Sequence, residues 1–599
     1  MNTIPEMWLT RVADTPDREA FRFPTASGWG SLTWKQAGER VRNIACGLLA
    51  LGLKPEERCA ILSGTRIEWI LADMGVLCGG GATTTIYPST TPDDCVFILT
   101  DSGSGYVLAE NDAQVDKLFA RRADIPGVKH VIRFEGSGDL RGGWVVPLAD
   151  LEAKGAEHHA KNPDAYQKAA RATRKDQLAT LIYTSGTTGR PKGVELLHDC
   201  WAYTAEAAEA TGFLRADDVQ FLWLPLAHSF GKVLEVLQLR IGFITAVDGR
   251  VEKIVDNLAE VKPTFVAAVP RIFEKVHNRV VQGAQEKGGL TASIFRWALG
   301  VGRRLSRLRA EKQSPGALLA LQYSIADKLV FSKLRARFGG RLRFFISGSA
   351  PLARDLAEFF DAAGILILEG YGLTETSAAS FCNLPDRNRF GTVGPPLPGT
   401  EVKIAEDGEI LIRGRGVMRG YHNQPDATRE VLDGAWLKTG DIGVLQDGFL
   451  QITDRKKDLI KTSGGKYVAP QALEGQLKVI CPYVSQVVVH GNNRNFVSAL
   501  VTLDPDAIRG WAKDNGAADK GLADLAKDER VFALIKAAVD ELNKTLAKHE
   551  TIKKFAILPA DFTLEAGELT PSLKVKRKVV EQKYKDVLDA FYAGAIAGD

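Results

Sequence analysis

A chain of 599 residues with 77 basic and 73 acidic side chains, net +4, is too long for one core. It is also too evenly charged for a dedicated nucleic-acid binder, and its 45% hydrophobic and 25% charged residues are ordinary for a globular protein. The seven cysteines are scattered, odd in number and lack a C-x-x-C pair, which fits a reduced cytoplasmic protein without structural zinc.

The N-terminus, "MNTIPEMWLTRVADTPDREAF", carries charges on both sides of its few apolar residues and does not read as a signal peptide. Glu68 and Asp73 interrupt one long apolar stretch and Arg240 another, so neither reaches the length of a membrane span. Through the middle of the chain, short β-rich runs alternate with helical segments such as "ARDLAEFFDAAG". The runs are "LATLIYT", "VQFLWLPLA", "PTFVAAVP", "LRFFISG" and "ILILEGYG". This alternation predicts an α/β fold with mainly parallel sheets flanked by helices. Polar or glycine-rich residues follow nearly every run, and ligands in such sheets bind outside the carboxyl ends of the strands. Several motifs are therefore expected to converge on one cleft.

From about Glu401 hairpins replace crossovers: "VKIAEDGEILIRG" and "GVLQDGFLQI" are strand pairs around Asp-Gly turns. The charged stretch that begins at Asp454 predicts a boundary, with a large N-terminal domain over 1–453 and a small α+β domain over 454–599. Another hairpin, "VSQVVVHGNNRNFVSALVTL", lies in the second domain.

The segment "YTSGTTGRPKG" offers backbone N–H groups, hydroxyls and one cation after a buried strand, which suits a polyphosphate. It is not a Walker A loop. Pro191 precedes Lys192, and Gly193 stands where a magnesium-binding Ser or Thr belongs. "GRGVMRG", 414–420, has the wrong spacing for a dinucleotide fingerprint and reads as turn glycines.

"YTSGTTGRPKG", "EGYGLTET" (369–376), "LKTGDIG" (437–443) and "DRKKDLIKTSGGKYVAP" (454–470) occur in that order. Together they resemble the core motifs of the adenylate-forming superfamily. "VPRIFEKV", "SGGKYVAPQALE" and "LTPSLKVKRK" are similar to its long-chain fatty acyl-CoA synthetase branch. The resemblance implies a fatty acid–CoA ligase that uses ATP, Mg²⁺ and coenzyme A, forms acyl-AMP and then acyl-CoA, and has a mobile C-terminal lid hinged at 454–457. Two other readings stay open: an acyl-AMP ligase that loads a carrier protein, and a non-catalytic nucleotide- or acyl-binding protein on the same fold.

The resemblance also assigns residues. Thr184, Ser185, Gly186, Thr187, Thr188 and Gly189 would wrap the phosphates with Lys192 near them. Tyr371 and Gly372 would meet adenine on one side, with Gly348, Ser349 and Ala350 as the opposite wall. Thr374 would contact the α-phosphate, and Glu375, with Thr187, would hold Mg²⁺, a cation that takes oxygen ligands. Asp441 and Arg455 would hold the ribose, since one carboxylate can accept from two hydroxyls. His228 would lie at the junction of acyl chain and pantetheine, although a lone histidine also reads as structural. Gly464 and Gly465 would let the pantetheine arm pass.

Alignment on Arg577 selects Lys574 as the catalytic lysine, with Lys576 the runner-up on the other face of an extended segment. The branch has Leu573 where most of the superfamily has glycine. Between Arg296 and Arg343 the only acids are Glu311 and Asp327. That segment reads either as amphipathic helices on anionic lipid or near the CoA phosphate, or as a solvated helical face. The expected partners are small molecules, with peripheral contact to the inner membrane surface and no nucleic acid.

Overall fold

The computed structural model describes residues 3–184, 190–286, 288–570 and 574–593. Two eight-stranded sheets form its larger part. In the first, strands Glu19–Thr25, Ile244–Val247, Val219–Leu222, Phe265–Ala268, Phe344–Ser347 and Ile367–Tyr371 run parallel in that spatial order. Gly28–Thr33 and Phe381–Cys382 close its edges antiparallel. The run "VQFLWLPLA" contributes only Val219–Leu222. Pro225, three residues on, has no N–H to give a ladder, and the chain turns there toward a helix.

In the second sheet Leu178–Thr184 lies parallel to Ala82–Ile86, which pairs with Arg58–Leu62, and the parallel order continues through Tyr106–Ala109, His130–Arg133 and Val145–Pro147. On its other side Leu178–Thr184 pairs antiparallel with Lys192–Leu197, in a register that sets Thr184 opposite Lys192.

One continuous hydrophobic core joins the two sheets through helices Ile67–Cys78, His198–Ala210 and Ser229–Ile241. Every residue of Ile67–Cys78 except Glu68 is buried, as expected of a helix that is apolar nearly all round. One polar cluster interrupts this core. The Lys232 ammonium donates to Asp73 and to Glu235 Oε2 at 3.1 Å, and all three side chains are fully buried. Burial opposes the lysine's charge, but Asp73 and Glu235 outweigh it and raise its pKa, while burial raises that of Glu235. The neighbouring imidazole of His198, lowered to about 3 by burial and then by the Lys232 charge, stays neutral.

A five-stranded antiparallel unit follows, built on Glu401–Ile404, Glu409–Arg413, Trp436–Gln446 and Phe449–Arg455. Both Asp-Gly hairpins form where the sequence places them. Beyond it, strands Val484–His490, Val497–Leu503 and Ile552–Ile557 pack with helices Pro470–Ile480 and Glu529–Asn543 around cores of their own.

Candidate active site

The carboxyl ends of three parallel strands in the first sheet build one wall. After Leu222 the chain reaches His228, after Ser347 it reaches Gly348, and Tyr371 leads into Gly372–Glu375. Gly348 is buried, and a Cβ there would sit 3.3 Å from the Phe230 ring and 3.6 Å from the Gly370 carbonyl. Ser349 is half-buried and Ala350 exposed. Gly372 admits no side chain, because its Cβ would lie 1.9 Å from the Ala378 carbonyl oxygen.

Asp441 organises the centre. Its Oδ2 accepts from the Tyr371 hydroxyl at 2.6 Å and its Oδ1 from Arg455 Nε at 3.1 Å. A carboxylate has about four acceptor positions, so two remain for a ligand's hydroxyls. Burial raises the pKa of Asp441 against the opposing charge of Arg455, and burial followed by the Asp441 charge raises that of Tyr371. Glu369, two residues before Tyr371, is buried and pushed up to about 8 by that burial.

A second polar chain adjoins the first. The Thr374 hydroxyl lies 3.3 Å from that of Ser229, and Glu375 Oε1 accepts from the Tyr421 hydroxyl at 2.8 Å. The Lys192 ammonium stands 4.8 Å over the Tyr421 ring. Tyr421 escaped the sequence reading because it sits beside glycines assigned to turns. Its short strand, Gly420–Tyr421, pairs with Lys192–Leu197 more than two hundred residues away, and no local pattern encodes that. Thr184 is half-buried at the end of its strand. The expected phosphate ligands Ser185, Gly186, Thr187, Thr188 and Gly189 lie outside the described residues.

Lys574 enters from the C-terminal lobe. Its N–H donates to Thr570 Oγ1 at 3.0 Å and its carbonyl accepts from Thr570 N–H at 2.8 Å, while Lys576 N–H donates to the Glu568 carbonyl at 2.7 Å. Arg577 locks this segment to its lobe through the Val489 carbonyl at 2.7 Å and Glu474 Oε1 at 2.6 Å. Lys574 is exposed to solvent along its stem, yet protein atoms crowd its ammonium. That crowding, and then the charge of Arg455, lower it to about 8 against the pull of Asp441 and Glu375.

His228 feels the same lysine: burial and then the Lys574 charge lower the imidazole to about 3. Its Nδ1 accepts from Phe230 N–H at 3.1 Å and caps helix Ser229–Ile241, so the proton of the neutral ring sits on Nε2. Gly464 and Gly465 do not join the cluster. They occupy an exposed turn whose neighbour Ser463 donates to the Arg494 carbonyl at 2.8 Å.

Between the lobes, buried Asp454 accepts from the N–H groups of Arg455 and Gln471. Lys456 reaches back to Asp407 at 2.6 Å and Glu409 at 2.8 Å. A separate clasp joins helix Pro270–Glu286 to the small lobe. Arg271 donates to Ser485 at 2.9 Å and pairs with Asp504 at 3.5 Å, and Lys478 pairs with Glu274 at 3.1 Å. The motif "VPRIFEKV" supplies both large-lobe partners, a role invisible to spacing alone.

A sheet-end cleft with a carboxylate at its centre and a cation from a second lobe is the architecture of an adenylate-forming enzyme. The chain belongs to the AMP-binding enzyme family, whose description it matches over residues 9–422, with the AMP-binding enzyme C-terminal domain matched over 457–595. It is 38% identical to the long-chain-fatty-acid–CoA ligase FadD15 of Mycobacterium tuberculosis over 99% of this chain and 97% of that protein. It is 31% identical to the human long-chain-fatty-acid–CoA ligase ACSBG1 over 98% of this chain and 85% of that protein. Its fold is shared with the anthranilate CoA ligase AuaEII in complex with anthranoyl-AMP, at a TM-score of 0.72 and 18% identity over 98% of both chains. The adenylation domain of a Mycobacterium chelonae carboxylate reductase gives 0.76 and 22%, over 99% of this chain and 91% of that one.

Proposed function

We infer that the protein is an ATP-dependent long-chain fatty acid–CoA ligase. One observation carries the reading beyond the family: a lysine of the small lobe lies within the electrostatic reach of Asp441 and Glu375 in the large lobe. In the first step a carboxylate oxygen attacks the α-phosphorus of ATP and pyrophosphate leaves. Two anions must meet there, so fixed positive charge stabilises the transition state. Lys574 supplies it from one side and Lys192 from the phosphate side. Asp441 and Arg455 hold the ribose, Tyr371 and Gly372 the base, and the Thr374 hydroxyl the α-phosphate.

Magnesium fits this donor set. Glu375 Oε1 is fixed by Tyr421, and the carboxylate keeps further hard-oxygen acceptor positions for the ion. Among the described residues no group of three or more His, Cys, Asp and Glu is placed to hold a metal. When bound, Mg²⁺ neutralises charge developing on the phosphates.

In the second step the sulfur of CoA attacks the acyl carbon, the C–O bond to AMP breaks, and the thiol proton passes to solvent. A swing about 454–457 would withdraw Lys574 and bring the Gly464–Gly465 turn to the cleft, where the absence of side chains leaves room for the pantetheine arm. The small lobe's separate cores support its moving as a unit. Seven buried free cysteines support a reducing, cytoplasmic setting, and no described helix is long and apolar enough to cross a membrane.

The test is AMP release across saturated acids from acetate to stearate, with and without CoA. Turnover that peaks with long acids and needs CoA is expected. Pyrophosphate release that does not need CoA and yields no thioester would instead indicate an enzyme that passes acyl-AMP to a carrier protein.

A further inference from the structure

The helix Ala317–Ala326, continued by a wide turn at 327–331 into Ser332–Ala336, leaves an apolar strip uncovered. Leu318 is 70% exposed, Leu321 60%, Ile325 46% and Leu329 44%. Their spacing of three, four and four residues places all four on one face. The opposite face packs inward through Leu319, Ala326, Phe331 and Leu334. Four large aliphatic side chains together in water are costly, so a contiguous strip of this kind marks a docking surface.

The charge around the strip identifies what docks. Exposed Lys328 and Lys333 flank it and exposed Arg337 follows. The one acid of the helix, Asp327, is already paired with Arg335 at 2.7 Å. The preceding helix, Gly289–Ala310, carries five arginines and no acid, with Leu290 76% and Trp297 39% exposed. The two helices meet where Arg309 stacks 5.5 Å over the Tyr323 ring. A second copy of this face would set cation against cation. An anionic bilayer accepts both features: aliphatic side chains enter the acyl boundary while lysine stems reach up to the headgroups.

The geometry points to helix 317–336 as the element that lays this protein on an anionic phospholipid surface. Residues at its centre insert shallowly, and the basic helix beside it contacts headgroup phosphates. The assignment needs no nucleotide and stands apart from the ligase reading, so either can fail alone.

Co-sedimentation of the full chain with large unilamellar vesicles tests it. The arms are phosphatidylcholine alone and phosphatidylcholine mixed with phosphatidylglycerol, each at low and high salt. Binding to the mixed vesicles, weakened by salt, is expected. The double variant Leu321→Glu, Ile325→Glu should bind at least about tenfold more weakly, and Lys328→Gln, Lys333→Gln should weaken binding to mixed vesicles alone. All variants should keep wild-type turnover with a short, water-soluble acid, which shows them folded. Equal partition of wild type and the double variant overturns the assignment, as does failure of the wild type to bind mixed vesicles. A concentration-dependent dimer abolished by the double variant would overturn it in favour of a second copy.

Discussion

In the proposed mechanism Lys574 carries a charge that the first half-reaction needs, and its environment sets when the charge is present. An ammonium lowered to about 8 is protonated below that pH and neutral above it. Adenylation measured as kcat/KM for ATP reports the free enzyme and should fall as pH rises through about 8. Bound phosphates favour the cation, so kcat should fall at a higher pH. Lys574→Arg, whose guanidinium does not deprotonate in this range, should lose the alkaline limb, and a limb that stays in place would assign it to another group. Tyr421 acts one step back, by fixing Glu375 Oε1 and underlying Lys192. Tyr421→Phe keeps the ring and removes the hydroxyl, so it should weaken the apparent Mg²⁺ affinity about tenfold. The maximal rate at saturating magnesium should change less, and an unchanged magnesium titration would remove Tyr421 from the site.

Helix Ser229–Ile241 carries both a site residue at its start and the buried Lys232 cluster one turn in. His228 caps the helix with Nδ1, so site and core share one rigid element. Lys232→Ala leaves Asp73 and Glu235 facing each other in a dry core and should cost about 3–5 kcal/mol. Thermal denaturation should show a large fall in midpoint, and a shift within error would mean that water already solvates the cluster. The strands and both Asp-Gly hairpins were legible in the sequence because alternation and turn chemistry are local. The convergence of Tyr371, Glu375 and Asp441 was legible through motif resemblance and the rule of strand carboxyl ends. Tyr421 and the Arg271 clasp were not, since each depends on pairing across two hundred residues or more. The basic segment was legible as amphipathic, but which of its apolar residues stay uncovered depends on tertiary packing.

The whole molecule depends on how its two lobes meet. In the observed arrangement Lys574 faces the cleft, the Gly464–Gly465 turn faces solvent, and Arg271 ties the large lobe to Ser485 and Asp504. Arg271→Ala removes this tie without touching the cleft. The tie is half-buried and its Asp504 contact is long at 3.5 Å, so adenylation should slow by about fivefold at most. Thioester formation from supplied acyl-AMP should not slow, and equal slowing of both halves would mean that the clasp supports folding instead of lobe orientation.

The most direct test separates the two half-reactions in Lys574→Ala. Pyrophosphate exchange into ATP in the presence of palmitate reads the first, and palmitoyl-CoA formation from synthetic palmitoyl-AMP reads the second. Exchange should fall by at least about a hundredfold, the scale of losing a preorganised transition-state donor, while thioester formation stays near wild type. Exchange at the wild-type rate would contradict the delivery of the catalytic cation by the small lobe.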